Sequence, residues 1–375
     1  MFKLLAVFAA AMVLAYISEI NTRAIIASGR HYSAGNDWAL VALIIILSLF
    51  AGLRTNYNDT ANYIGSFRSA STLAAFVGKA ENLNPLKNPL FLFYQSFLRT
   101  ITDNPQIFVF SLALLDQILL IRFFKRYSDN FLFSIFLYFT LGTFVFSLAA
   151  MKQITAMAVL TLCFPYLEKK QWARYYLVVL AAMLIHTYAM AFAVLPLFRT
   201  RPWGLFTFLF IAVIGVVMVN FETAITAFME QANDLGKTLA DYEVFSDAGI
   251  NIFRLGVYAV PPLISLVFRR WVLRDASGMD HVFIHMSIIS LAFMSLGTQA
   301  GANMFGRMAN YFEMATICCL PRMLKKTFDE RSYRFVMRVA CVCYMGFFVY
   351  ANALHGNFDG EYRSVSLFKF VASLF

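Results

Sequence analysis

The chain has 375 residues, 60% of them hydrophobic and only 14% charged, with a formal net charge of +10; soluble domains carry roughly a quarter charged residues. With a mean hydropathy of +0.67 and apolar runs recurring from Phe2 to Leu354, the excess is too large for one core or one anchor, which excludes most soluble enzyme classes. The 31 Lys and Arg are scattered between apolar runs and not gathered on one stretch, which speaks of membrane topology and against a nucleic-acid partner.

A membrane span needs about 20 mostly apolar residues, fewer where a helix is short or broken. In chain order the candidates are 2–19, 38–53, 105–123, 131–150, 153–167, 175–198, 203–220, 252–268, 282–300, 308–321 and 335–354. The first, behind Lys3, resembles a signal-peptide core, but no clear cleavage signal follows, so it reads as a retained span. Between the second and third lies a loop over 54–104, with an interfacial helix near 86–101. An acidic loop at 221–251 holds Glu222, Glu230, Asp234, Asp241, Glu243 and Asp247 against one Lys237, and a tail at 355–375 ends in a second interfacial stretch.

Basic residues in short connections favour the inner side. The clusters are Arg122, Lys125 and Arg126; Lys169, Lys170 and Arg174; Arg199 and Arg201; Arg269, Arg270 and Arg274; and Arg322 through Arg334. A single span over 175–198 would put Arg174 and Arg199 on opposite sides. A turn at His186, Thr187 and Tyr188 removes the conflict by making two half-helices with both basic ends inside. The reading is an all-α polytopic membrane protein, a single membrane domain over 1–375 with about 11–13 transmembrane helices and short outer-side interfacial helices. Both termini then lie outside, with Lys3 as the dissenting charge.

An ionisable side chain inside a span costs several kcal/mol unless it is paired or wet. Asp116 and Glu313 are the acids deepest in apolar sequence, and for both a structural pairing between helices competes with a functional role. Arg54, followed by Asn56, Asn58, Asp59, Asn62 and Tyr63, forms a polar cluster suited to an anion and a sugar. Lys152 and Gln153 stand at a junction too short for a comfortable loop, where a snorkelling Lys is the plain alternative. His186 sits at the proposed break and reads as functional, whereas His285 reads as a satisfied structural histidine. Arg254 and Arg307 open spans at the outer boundary, and with Arg54 and Arg363 they form a candidate pyrophosphate clamp. Cys163, Cys318, Cys319, Cys341 and Cys343 all lie in apolar runs without metal-ligand spacing, so neither a disulfide nor a metal site is expected.

The ordered set Gly52-Leu53-Arg54 with Asp59 and Asn62-Tyr63, Lys152-Gln153 with Thr155-Ala156, Ile185-His186, Arg307 with Asn310-Tyr311-Phe312, and Tyr362-Arg363 resembles the EpsG/Wzy-type polymerases of bacterial surface polysaccharides. The order of these short motifs carries the resemblance. One departure is Lys152, where the family commonly has Arg; an ammonium holds a phosphate as a point charge and not bidentately.

The resemblance implies an inner-membrane, multi-pass glycosyltransferase that polymerises O-antigen or exopolysaccharide repeat units on the periplasmic face. Its donor would be an undecaprenyl-pyrophosphate-linked oligosaccharide and its acceptor a sugar hydroxyl of a lipid-linked repeat unit. A chain-length regulator would be a partner, and no metal or other cofactor is required. In this reading Arg54, Arg254, Arg307 and Arg363 hold the substrate with help from Lys152 and Gln153. His186 is the first choice of base, with Asp59 or Glu313 behind it, and Tyr63, Tyr188, Tyr311 and Tyr362 line the sugar path. A lipid-linked oligosaccharide flippase and an O-antigen ligase are the competing readings.

Overall fold

Uninterrupted apolar sequence without the apolar/polar alternation of strands forms helix wherever lipid or a neighbouring helix covers it, because a helix satisfies its own backbone within the segment. The computed structural model describes residues 1–27, 33–79, 84–220, 250–299, 303–354 and 356–374; the acidic residues Glu222 to Asp247, and Gly301, lie outside the described residues. The chain is 82% helical. Its elements are α1 (Phe2–Ala27), α2 (Trp38–Gly52), β1 (Arg54–Asn56), α3 (Thr60–Ser69), α4 (Leu73–Val77), α5 (Pro89–Ile101), α6 (Pro105–Tyr127), α7 (Phe131–Thr140), α8 (Thr143–Ala149), α9 (Met151–Leu160), α10 (Phe164–Glu168) and α11 (Trp172–Ile185). A 3-10 helix (Thr187–Arg199) follows, then α12 (Leu205–Val219), α13 (Ile252–Val267), α14 (Arg269–Val272), α15 (Gly278–Leu296), α16 (Asn303–Thr327) and α17 (Glu330–Val349). The tail contributes α18 (Phe358–Glu361), β2 (Arg363–Ser364) and α19 (Leu367–Ala372).

Among the described residues, α1, α6, α15 and α17 with its extension to Leu354 are long and apolar enough to cross a membrane alone. The pair α7 and α8 passes together, bent by 51° at Gly142, whose φ of +90° is open to glycine and strained for other residues. The helices α2, α11, α12 and α13 and the 3-10 helix are apolar but shorter. The 25-residue α16 interrupts its apolar sequence with Arg307, Asn310 and Glu313. These elements fall on the stretches expected from composition, and the chain is an all-α polytopic membrane protein.

Contacts divide the chain into two units, residues 1–193 with 341–375, and residues 194–340. In unit 1, α2 packs along α6 at close range. A Cβ on Gly52 would stand 2.9 Å from Phe110 Cα and 2.6 Å from its ring, so only glycine lets the two backbones approach there. Gly52→Ala is therefore expected to lower stability by about 1–3 kcal/mol through overpacking, read as a fall in the melting temperature of the detergent-solubilised protein. Aromatic rings fill the remaining core: Phe8 meets Phe139 at 5.0 Å and Phe348 at 5.7 Å, and Phe139 meets Phe144 at 4.4 Å.

The tail closes one end of unit 1. β1 and β2 pair antiparallel, Arg54 opposite Ser364, and Val365 N donates to Leu53 O at 3.0 Å. Tyr362 stacks on Phe50 at 4.7 Å and its hydroxyl donates to Phe50 O at 2.7 Å; burial pushes that phenol up to about 12, so it keeps its proton. Phe2 N donates to Asp359 at 3.1 Å, and Lys3 lies 5.5 Å from the Tyr362 ring centre. The start of α1, the end of α2 and the tail thus share one end, and Lys3, the dissenting charge, is held by an aromatic face.

A polar knot marks the other end. The buried Asp37 caps α2, accepts from Ser18 Oγ at 2.6 Å and Asn21 Nδ2 at 3.2 Å, and faces Lys125 Nζ at 3.8 Å. Arg126 and Glu168 approach to 3.8 Å there, so the first two basic clusters meet at the same end, as the charge pattern requires. The break at residue 186 is also present. His186 is extended (φ −150°, ψ 118°) after α11, and the chain folds back so that Tyr175 donates to Phe192 O at 2.6 Å and Tyr176 to Ala193 O at 3.4 Å. Residues 17 apart on one straight helix would be about 25 Å apart, so the segment is a hairpin of two half-helices.

In unit 2, α15 packs against α16, and α13 against both. Gly297 lets α15 end against α16, where a Cβ would stand 3.1 Å from Gly306 N. His285 is satisfied on both ring nitrogens, by Thr207 Oγ1 at 2.9 Å and His281 O at 3.0 Å, in keeping with a structural histidine.

Candidate functional site

The chain leaves α2 at Leu53 and turns outward through β1, which draws Arg54 under the loop that starts α3. Arg54 is only 2% exposed. Its Nε donates to Thr60 Oγ1 at 3.1 Å and its Nη1 to Ala51 O, while Thr60 Oγ1 donates in turn to Tyr57 O at 2.8 Å. Gln106, in the first turn of α6, secures the strand from the other side by donating to Gly52 O at 2.5 Å and Arg54 O at 3.0 Å. Burial lowers the guanidinium to about 10 while the nearby Asp116 carboxylate opposes that shift, so Arg54 remains charged at neutral pH. Asp116, 3% exposed on α6, accepts from Thr155 Oγ1 at 3.3 Å through one oxygen, and its other oxygen has no hydrogen-bond partner among the described residues.

Thr155 lies on α9, and one turn earlier Lys152 reaches the same region. Its half-buried ammonium lies 5.9 Å from the Tyr63 ring centre and 5.6 Å from that of Phe91, a cation between aromatic faces. Gln153 is buried beside it in sequence. Phe91 is on α5, whose start carries Asn88; Asn88 Oδ1 accepts from Thr187 N at 3.2 Å and Thr187 Oγ1 at 3.3 Å. The tip of the hairpin, with half-buried His186 edge-on to Tyr188 at 5.0 Å, is therefore tied to the helix that underlies Lys152. Asp59 is half-buried at the start of α3.

Beside this cluster is a cavity of about 510 Å³ lined by residues of α3, α6 and α19, among them Thr55, Arg68, Asn104, Gln106 and Lys369. Its lining has two cations and no acid. Arg68 and Lys369 were not singled out from the sequence. The signal was present for Arg68, because Ala61, Ile64, Gly65 and Arg68 recur at helical spacing and make one face of α3.

In unit 2, Asn310 on α16 is the hub. Its Oδ1 accepts from Arg254 Nη2 at 3.3 Å and from Tyr258 OH at 3.1 Å, and Glu313, one turn further, interacts electrostatically with both. Arg307 is exposed one turn before Asn310. Tyr258 thus joins Arg254, Glu313 and the motif residue Asn310, which the sequence did single out.

The expected residues therefore sort by accessibility as well as by unit. Arg54, Lys152, Gln153, Tyr63, His186, Tyr188, Asp59, Tyr362 and Arg363 belong to unit 1, and Arg254, Arg307, Tyr311 and Glu313 to unit 2. Lys152, His186, Tyr63 and Tyr188 are partly open, and Arg307 and Arg363 are exposed. Five expectations meet buried side chains, Arg54, Gln153, Tyr311, Glu313 and Tyr362. Arg54 directs its Nε and Nη1 donors inside the protein, Tyr311 is fully buried, and the Tyr362 ring is covered by Phe50 and Phe358, so neither tyrosine presents a face for a sugar.

Comparison with known proteins gives one family match, to the model described as the EpsG family, over residues 37–362. No curated protein and no solved structure matches the chain. The matched stretch runs from the buried cap Asp37 to Tyr362 and takes in the Arg54 cluster, the hairpin and the Asn310 hub. The chain belongs to the EpsG family, a Wzy-type family of membrane polysaccharide polymerases.

Proposed function

We propose that the chain joins repeat units by moving a growing glycan from a polyprenyl-pyrophosphate carrier, of the undecaprenyl type, to a sugar hydroxyl of a second lipid-linked unit on the periplasmic face. The observation that carries this reading is Lys152, a half-buried cation between Tyr63 and Phe91, with Tyr63 also within electrostatic reach of Arg54, in a chain of this family. The acceptor oxygen attacks the anomeric carbon, the bond from that carbon to the phosphate oxygen breaks, and the pyrophosphate leaves with the electron pair. The acceptor hydroxyl proton passes to His186. Lys152 offsets the charge developing on the leaving group, and Arg68 and Lys369 attract the anionic substrate into the outer cavity. Arg54, enclosed as it is, positions β1 and α3 and does not itself grip phosphate.

The test is to incubate the purified protein in detergent with a polyprenyl-pyrophosphate-linked repeat unit and look for a ladder of longer glycans. Wild type is expected to give a ladder, Lys152→Ala to lose about two orders of magnitude in rate, a typical cost of one charge-stabilising donor, and Lys152→Arg to retain activity. A ladder of normal length from Lys152→Ala would remove Lys152 from the mechanism. No ladder from wild type, with labelled lipid crossing a proteoliposome bilayer instead, would make the chain a transporter.

A further inference from the structure

The last turns of α6 carry Arg122, Lys125 and Arg126, spaced i, i+3 and i+4 so that one helix face presents three cations. That face opens into a second cavity, of about 700 Å³, whose walls include Leu40, Leu119, Leu162 and Pro165 and whose lining contains no acid. The three cations differ in commitment. Lys125 is spent on the Asp37 knot, donating to Ser18 Oγ at 2.8 Å. Arg126 approaches Glu168 at 3.8 Å across exposed surface and lies 5.3 Å from the Tyr127 ring centre, and Arg122 is exposed and makes no ion pair among the described residues.

This cavity lies at the opposite end of unit 1 from the Arg54 cluster. Gln106, at the start of α6, bonds to Arg54 O, and the 23 residues of α6 carry the chain about 34 Å further on. It is therefore separate from the glycan chemistry proposed above and does not rest on it. The basic end of a membrane unit is where the headgroups of the inner leaflet lie, and Leu162 on the cavity wall is 46% exposed on the outside of an otherwise buried turn.

We propose that this cavity binds an anionic phospholipid, with Arg122 and Arg126 on the headgroup phosphate and the acyl chains against Leu119 and Leu162. The planar guanidinium fork matches phosphate oxygens, and basic recesses between membrane helices recognise anionic headgroups. The leucine walls distinguish a lipid from free phosphate, which would gain nothing from them. The neutralised Lys125 holds α1, α2 and α6 together behind the cavity.

The test uses the full-length protein in detergent with phosphatidylglycerol or phosphatidylcholine, and reads retained lipid by native mass spectrometry. Phosphatidylglycerol is expected to be retained over phosphatidylcholine. Each arginine near a headgroup contributes about fivefold, so the double variant Arg122→Gln with Arg126→Gln should lose about twenty-five-fold in retention. Lys325→Gln, a basic residue of unit 2, should leave it unchanged. Both arginines are exposed, so folding should survive; if the double variant is not recovered, Arg122→Gln alone must show the fivefold loss. Equal retention of the two lipids, unchanged retention in the variants, or displacement of phosphatidylglycerol by millimolar inorganic phosphate would overturn the proposal.

Discussion

Replacing Arg54 by Ala is expected to destabilise unit 1 by about 3–5 kcal/mol, the combined cost of losing buried hydrogen bonds from a charged donor and of the cavity left behind. The cost has two sources in the structure. Thr60 Oγ1 and Ala51 O would lose the donors that tie the end of α2 to α3. A cavity the size of a guanidinium would open where the side chain is 2% exposed. The expected result is little or no folded protein recovered from membranes. Arg54→Lys should recover only part of the loss, because an ammonium does not reproduce two donors set at the fork's angle. A clamp role predicts a different pattern, with normal folding of Arg54→Ala and loss of polymer alone. Melting temperature and glycan ladder measured on the same samples separate the two.

The fate of Arg54 shows where the sequence stops. An Arg that follows an apolar run and precedes Asn56, Asn58 and Asp59 has the composition of an outer-boundary anion site, and a cavity does lie beside the strand that it starts. Which side chain enters the cavity depends on the turn at Leu53 and on the tail, more than 300 residues later, that pairs with β1 and covers Phe50. No local pattern records that pairing. Gly52 was visible as part of a motif, but its reason, the approach of Phe110, belongs to the contact between two helices.

The apolar helices were readable because a bilayer imposes length and polarity directly on sequence, residue by residue, but among the described residues four of them, or five with the bent pair, are long enough to cross, against about 11–13 expected. The hairpin was readable for the same reason, since two basic ends around one apolar run leave few arrangements. Asn310 is the intermediate case. It stands out as polar in an apolar stretch, yet its role as the shared acceptor of Arg254 and Tyr258 needs α13 and α16 side by side. Exposed cations such as Arg68 and Lys369 give the weakest signal, because on short exposed helices they are indistinguishable from solvated surface until a cavity is seen between them.

His186→Ala is expected to lower polymer formation by about 10²–10⁴-fold, the range for loss of a general base, while changing stability by less than about 1 kcal/mol. The separation follows from the division of labour at the hairpin tip. Thr187 holds the turn against Asn88 with its backbone and hydroxyl, and Tyr175 and Tyr176 pin the returning half of the hairpin to α11. The imidazole is partly open and meets Tyr188 edge-on, so its removal vacates no core volume. Asn88→Ala is the complementary variant: it leaves the imidazole intact but frees two Thr187 donors, and should cost stability and activity together. Two outcomes decide the base assignment. Partial recovery of the ladder by added imidazole in His186→Gly, with no recovery in Asn88→Ala, supports proton removal at this position. A His186→Ala enzyme that polymerises at the wild-type rate would move the base to Asp59, which is half-buried at the start of α3, or to Glu313 below the Asn310 hub. Asp59→Asn and Glu313→Gln, assayed on the same lipid-linked substrate, would then distinguish a base in unit 1 from one in unit 2.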